Sequence, residues 1–227
     1  MKKDKANVID IKDLIIDTSS TYSEAFQQLQ VNLDFSFIGE KNKIIAVTSP
    51  LASDGKSTVC TNLAYIYSKK NYKVLVIDLD LRRPSIHRFF DLTNDIGVTD
   101  YCSEKAKFDD IIKHYENIDV ITAGSHTPFP GKVLESDILF NLINSLKEKY
   151  DIILVDTPPI LVVSDALICS KFVSQYLITV SYAKTKKADF EETMRQLKSD
   201  NKIKIAGVVF NKKKYKKDSY DYKNKYY

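Results

Sequence analysis

The sequence has no tryptophan, three cysteines, and only six glycines and six prolines among its 227 residues. Cys60, Cys102 and Cys169 are odd in number and far apart, which excludes a disulfide framework or a cysteine zinc site and points to reduced thiols in a cytosolic protein. His87, His114 and His126 show no metal-ligand spacing. No run approaches the roughly 18 apolar residues of a membrane-spanning helix. The start, Met1-Lys2-Lys3-Asp4, lacks the apolar stretch of a signal peptide. A basic body is missing too: net charge is +4, yet Lys212–Tyr227 alone holds seven Lys and two Asp, leaving the remainder near neutral. A broad nucleic-acid-binding patch is therefore not expected.

With 44% hydrophobic residues, the chain can bury one sizeable core, expected as a single α/β domain. Residues 1–20 are polar and poorly periodic and read as a surface arm. Residues 21–212 form the expected domain. Residues 213–227, without one aliphatic side chain, read as a disordered Tyr/Lys-rich tail. Phe26, Leu29, Leu33 and Phe37 recur at helical spacing between Thr21 and Ile38, with Thr21 or Ser23 as the cap. Apolar runs follow at Ile44–Val47, Val74–Ile77, Val120–Ile121, Ile152–Val155, Leu177–Val180 and Ala206–Phe210. Helical patterns separate most of them: one from Lys56, then Phe108–Tyr115, Ile138–Lys149, Asp165–Phe172 and Ala188–Ser199. Continuous apolar strands alternating with helices predict a doubly wound, mainly parallel sheet. Ligands of such sheets bind outside the carboxyl ends of the strands.

Three of those strand ends carry chemistry. The strand Ile44–Val47 leads through Thr48-Ser49 and the turn Pro50–Asp54 to Gly55-Lys56-Ser57-Thr58. A strand feeding Gly-Lys-Ser/Thr is how a phosphate-binding loop begins: in such a loop the backbone N–H groups face phosphates, the Lys reaches the β/γ-phosphates and the Ser hydroxyl reaches Mg²⁺, although Gly-Lys-Ser alone is a weak signal. Pro50 stands where that pattern has its first glycine. A second strand ends in Asp78-Leu79-Asp80-Leu81-Arg82-Arg83-Pro84, with carboxylates at i and i+2. A third ends in Asp156-Thr157-Pro158-Pro159. A carboxylate closing a buried strand is what a Walker B site uses to hold Mg²⁺ through water. Each Asp could alternatively cap a helix or open a turn. Their convergence with Gly-Lys-Ser-Thr favours binding of a nucleotide and Mg²⁺.

Asp78-Leu79-Asp80-Leu81-Arg82-Arg83-Pro84 resembles the Walker A′ motif of the bacterial tyrosine kinases, the cytoplasmic CapB/CpsD-type partners in capsule and exopolysaccharide synthesis. The resemblance extends over Thr48-Ser49, Gly55–Thr58, Asp156–Pro159, Ser164-Asp165-Ala166 and Gly207–Lys212, and it includes the Tyr-rich end. It implies a P-loop domain of the MinD/ParA-like kind that uses ATP and Mg²⁺ to phosphorylate protein tyrosines. The acceptors it implies include Tyr215, Tyr220, Tyr222, Tyr226 and Tyr227 of a neighbouring subunit. The nucleotide would be bound by Ser53, Asp54, Gly55, Lys56, Ser57 and Thr58, with Asn211 at adenine and Thr58 at the α-phosphate. Ser57, Asp80 and Asp156 would hold the metal, partly through water. Lys56, Asp78, Asp80 and Asp156 are the catalytic set, with Asp78 favoured as base although the sequence does not order the pair. Arg82 has two open readings, a phosphate or partner contact and an internal salt bridge. The implied partners are a membrane activator (a polysaccharide co-polymerase acting through its cytoplasmic tail) and other copies of the chain. The implied place is the inner face of the plasma membrane, with no nucleic-acid partner.

Three departures bear on these expectations. The loop Pro50-Leu51-Ala52-Ser53-Asp54 lacks the family's extra glycines. The Glu-x-x-Arg-x-x-Arg helix that mediates ring assembly in the family reads Glu24-Ala-Phe-Gln27-Gln-Leu-Gln30 here, without either cation. The Asn-Pro-Ser-Glu-Leu-Leu segment has become Phe129-Pro130-Gly131-Lys132-Val133-Leu134. Two rival readings stand beside the kinase: a MinD/ParA-type ATPase switch, whose loop lysine is replaced by Leu51, and a nucleotide-gated scaffold for a membrane partner. For the tail, the alternative to substrate tyrosines is a basic tether touching anionic lipid.

Overall fold

The computed structural model describes residues 21–40, 43–182 and 184–213. The arm expected over 1–20 and the five tail tyrosines lie outside the described residues. A first helix, α1 (Thr21–Ser36), precedes strand β1 (Ile44–Thr48), helix α2 (Lys56–Lys69) and strand β2 (Val74–Asp78). Three short helices follow, α3 (Ile86–Phe89), α4 (Val98–Cys102) and α5 (Phe108–Ile111), then strands β3 (Ile112–Tyr115) and β4 (Ile118–Ile121). Helices α6 (Pro130–Glu135) and α7 (Asp137–Leu146) lead to β5 (Ile152–Asp156), and α8 (Asp165–Ile168) to β6 (Gln175–Ser181). Helix α9 (Lys187–Lys198) and strand β7 (Ile205–Asn211) complete the described fold.

The seven strands form one sheet in the order β3-β4-β2-β5-β1-β6-β7. Every pairing is parallel except β3 with β4. The central strands are buried along their whole length because helices cover both faces, as their unbroken apolar runs predict. Alternation sorts their side chains. Ile45, Val47, Val74, Val76, Ile152 and Leu154 pack with Leu33 of α1, Phe37 just past its end, and Val59, Leu63 and Tyr67 of α2. Ile44, Leu75, Ile77, Ile153 and Val155 face Leu139, Leu142, Ile143 and Leu146 of α7 on the other side.

One expectation is corrected. Phe108–Tyr115 was expected to be helical throughout, because its apolar residues fall at helical spacing. The helix stops at Ile111, and Ile112–Tyr115 is an antiparallel edge strand paired with β4, Tyr115 opposite Ile118. The two-residue connection Glu116-Asn117, with Glu116 at φ 50°, turns the chain back as a tight hairpin. Long-range pairing with β4 thus overrides a short periodic pattern.

Candidate active site

β1, β2 and β5 lie side by side, so their carboxyl ends meet above α2, with Asp78 directly opposite Asp156 in the β2–β5 register. The loop from β1 is fastened to the Asp156-Thr157-Pro158-Pro159 segment by Thr48 Oγ1 donating to the Pro158 carbonyl (3.1 Å) and Thr157 Oγ1 to the Val47 carbonyl (3.0 Å). α2 then starts at Lys56. Its N-cap is Gly55 at φ 101°, a left-handed conformation suited to glycine, and no side chain caps it. A Cβ on Gly55 would stand 1.9 Å from Nδ2 of Asn211, so any side chain there would push Asn211 away from the loop. The first helical bond runs from the Val59 N–H to the Gly55 carbonyl (3.0 Å), which leaves the N–H groups of Lys56, Ser57 and Thr58 ahead of it for an anion.

The cleft over this helix start has a volume of about 650 Å³; Gly55, Lys56, Ser57, Thr58, Asp80 and Ser85 are among the residues lining it. Lys56 is buried, with Nζ 3.7 Å from Asp80 Oδ2. Ser57 Oγ donates to Asp156 Oδ2 (2.6 Å) and accepts from Ser85 Oγ (2.7 Å). Asp156 is fully buried and its other oxygen, Oδ1, has no hydrogen-bond partner. Burial pushes its carboxyl up to about 6, against the pull of Lys56 and Ser57. An orphaned carboxylate oxygen beside a serine hydroxyl and a second carboxylate is a hard oxygen donor set. It fits Mg²⁺ held partly through water.

The predicted carboxylate pair is split by depth. Asp80 stands in the cleft wall, and burial raises its pKa while Lys56 opposes the rise. Asp78 is fully buried beneath it, absent from the cleft lining, and accepts three backbone N–H bonds, from Asp80 (3.1 Å), Ser85 (3.0 Å) and Ile86 (3.1 Å). Burial and the nearby Asp156 charge push its carboxyl well above the usual range. Of the two readings of Arg82, the salt bridge is present: Nε and Nη2 donate to the two oxygens of Asp165 at 2.7 and 3.1 Å.

Asp54 does not aim its charge at the cleft. Its carboxylate is buried, accepting from the Leu51 N–H (3.0 Å) and the Thr185 hydroxyl (3.1 Å). Asn211 comes to the loop, with Nδ2 donating to the Asp54 carbonyl (3.0 Å). Two lysines given no role by the sequence expectation join it: Lys212 Nζ donates to the Ser53 carbonyl (2.7 Å) and Lys184 Nζ to the Ala52 carbonyl (3.0 Å). Ser85 was likewise missed. It follows Pro84 without any spacing that marks a site, and Lys184 carries no motif at all. On α1, Gln27 bonds Ser23, while Gln30 is buried, donating to Asp34 and accepting from Lys70. Gln30 is therefore spent on contacts inside the chain.

The profile of the AAA domain family matches residues 42–207. The tyrosine-protein kinase YwqD of Bacillus subtilis (strain 168) is 32% identical over 202 residues, 88% of this chain and 85% of YwqD. The tyrosine-protein kinase ptk of Acinetobacter johnsonii is 31% identical over 190 residues, 83% of this chain, but this chain spans only 26% of ptk. Among solved structures, the chimerical protein CapA2B2 superposes with a TM-score of 0.84 at 30% identity, covering 89% of this chain and 90% of that one. The cell division ATPase MinD of Pyrococcus furiosus superposes at 0.62 with 27% identity, covering 74% of this chain and 71% of that one.

Proposed function

The chain belongs to the bacterial tyrosine-protein kinases within the AAA domain family, and from that membership we propose that it transfers the γ-phosphoryl group of ATP to protein tyrosines. Acceptors on this reading include Tyr215, Tyr220, Tyr222, Tyr226 and Tyr227 of a second copy. The observation that carries the proposal is the Ser57–Asp156 pair, with its orphaned oxygen, set beside Lys56 and Asp80 at the start of an uncapped helix.

Lys56 and the N–H groups of α2's first turn bind and neutralise the phosphates. Ser57, Asp80 and Asp156 are the residues that would hold Mg²⁺. Mg²⁺ held there would offset the negative charge that develops on the phosphate oxygens. The tyrosine oxygen forms a bond to the γ-phosphorus as the bond to the ADP oxygen breaks, and the phenolic proton passes to a carboxylate. Asp80 suits that role better than Asp78, because it borders the cleft while Asp78 is engaged by three N–H groups below it. Positioning and charge neutralisation suffice, and no covalent intermediate is needed. The same reading assigns the chain to capsule or exopolysaccharide synthesis, at the inner face of the plasma membrane, beside an activating membrane protein and further copies of itself. It also takes 21–212 as the kinase unit. Leu51 in place of the loop lysine weighs against the ATPase-switch alternative.

The test is to incubate the full chain with Mg-ATP and the cytoplasmic tail of its membrane activator, then map phosphotyrosine by mass spectrometry. Phosphate on the 215–227 tyrosines that disappears in Lys56→Met is the expected result. No phosphotyrosine, or phosphate that persists in Lys56→Met, overturns the proposal.

A further inference from the structure

The turn Pro50–Asp54 contains no glycine, yet it adopts a conformation that phosphate-binding loops ordinarily reach with several. Ser53 sits at φ 66°, in the left-handed region that non-glycine residues rarely occupy. A loop that directs its N–H groups at an anion turns its carbonyls away from that anion, and those carbonyls need donors of their own. Here three consecutive residues are supplied. Lys184 Nζ reaches the Ala52 carbonyl, Lys212 Nζ the Ser53 carbonyl and Asn211 Nδ2 the Asp54 carbonyl, at 2.7 to 3.0 Å. The Thr185 hydroxyl adds a fourth tie at 3.1 Å, to the Asp54 carboxylate, and is itself fixed by the Ser181 N–H (2.9 Å). All four donors come from two segments, 184–185 just past β6 and 211–212 at the end of β7. These are the two strands at one edge of the sheet, paired in register through Ser181 and Asn211.

We propose that Lys184 and Lys212, with Thr185 and Asn211, are positioning residues that hold the glycine-poor loop in its phosphate-binding shape through its carbonyls and the Asp54 carboxylate, Lys212 doing so from the rim of the cleft itself. The two charged donors act on the carbonyls next to the strained Ser53 peptide, where a hydrogen bond to a charged group is strongest. The inference rests on the nucleotide-binding part of the function proposed above and is independent of which group receives the phosphoryl.

Lys184 and Lys212 are exposed, so replacing them leaves the core intact. The experiment compares the full-length wild type, the Lys184→Met/Lys212→Met double variant and the double Arg variant. Three quantities are read: amide hydrogen exchange of residues 51–55 in the nucleotide-free protein, affinity for a fluorescent ADP, and KM and kcat for ATP. In the Met variant, exchange is expected to accelerate and ADP affinity to fall, each by about tenfold. The loss should appear in KM for ATP, with kcat within about twofold, and the Arg variant should recover most of it. Wild-type exchange and ADP affinity in the Met variant overturn the inference. So does a loss confined to kcat. Faster exchange and weaker ADP binding in a chain that phosphorylates no tyrosine would sink the kinase reading and leave the clamp standing. Normal phosphorylation with unchanged exchange and affinity would do the reverse.

Discussion

Asp78 and Asp80 are two residues apart in sequence and do different jobs in the structure. Asp80 borders the cleft next to Lys56, so Asp80→Asn is expected to lower kcat for tyrosine phosphorylation by about 10²–10⁴-fold. Steady-state assay at saturating ATP checks this. Asp78 accepts three N–H bonds in full burial. Asp78→Ala strands those donors at a cost of about 1–3 kcal/mol, which for a domain of this size lowers Tm by roughly 2–4 °C per kcal/mol. Thermal melts of the nucleotide-free protein measure it, and an unchanged Tm would reverse the assignment of Asp78 as a structural anchor. At this scale the meeting of Gly55, Lys56, Ser57 and Asp156 was legible because motif spacing places them at neighbouring strand ends. The order of the two acids was not, since depth below a surface leaves no trace in an i, i+2 pattern. The role of the lysines at the loop was invisible for another reason, although Lys212 stands in the family segment Gly207–Lys212. They reach carbonyls 132 and 159 residues away, and a backbone carbonyl carries no sequence signature.

Among the elements, β3 shows where periodicity stops being informative. Four residues at helical spacing and four residues of a hairpin edge look alike until a partner strand is present. What secures this edge is Lys113. Its Nζ donates to the Thr93 carbonyl (2.6 Å), the Ile96 carbonyl (3.0 Å) and the Thr122 hydroxyl (3.0 Å), tying the segment before α4 to the sheet. Partial burial lowers its pKa, against the pull of Asp95 and Asp100. Lys113→Met is expected to destabilise the fold by about 1–3 kcal/mol. Because β3 lies at the far edge of the sheet from the nucleotide-loop clamp, ADP affinity should stay within about twofold. Denaturant unfolding and ADP titration of the same variant check both halves.

At the scale of the whole molecule, the doubly wound sheet was readable because apolar runs mark six of its seven strands and helices separate most of them. Strand order was not, because it depends on which crossovers pack together. The order matters: only with β5 between β1 and β2 do Asp78, Asp80 and Asp156 come together, the last two within reach of the Lys56 charge. Asp156→Asn removes one of those crowded charges. It is therefore expected to raise the Tm of the nucleotide-free protein by a few degrees, by removing a raised-pKa carboxylate from full burial. It should also abolish the extra stabilisation that Mg²⁺ gives in the presence of ADP. Thermal melts with and without Mg-ADP report both effects.

The orphaned Oδ1 of Asp156 has a consequence for the lifetime of the protein. A buried anion left half-satisfied makes the empty chain less stable than the same chain with its site filled. A ligand held at about 100 times its Kd adds roughly 2.7 kcal/mol to the folded state, about a hundredfold fewer unfolded molecules offered to proteases. The share of this protein open to proteolysis would then fall as the supply of its nucleotide rises.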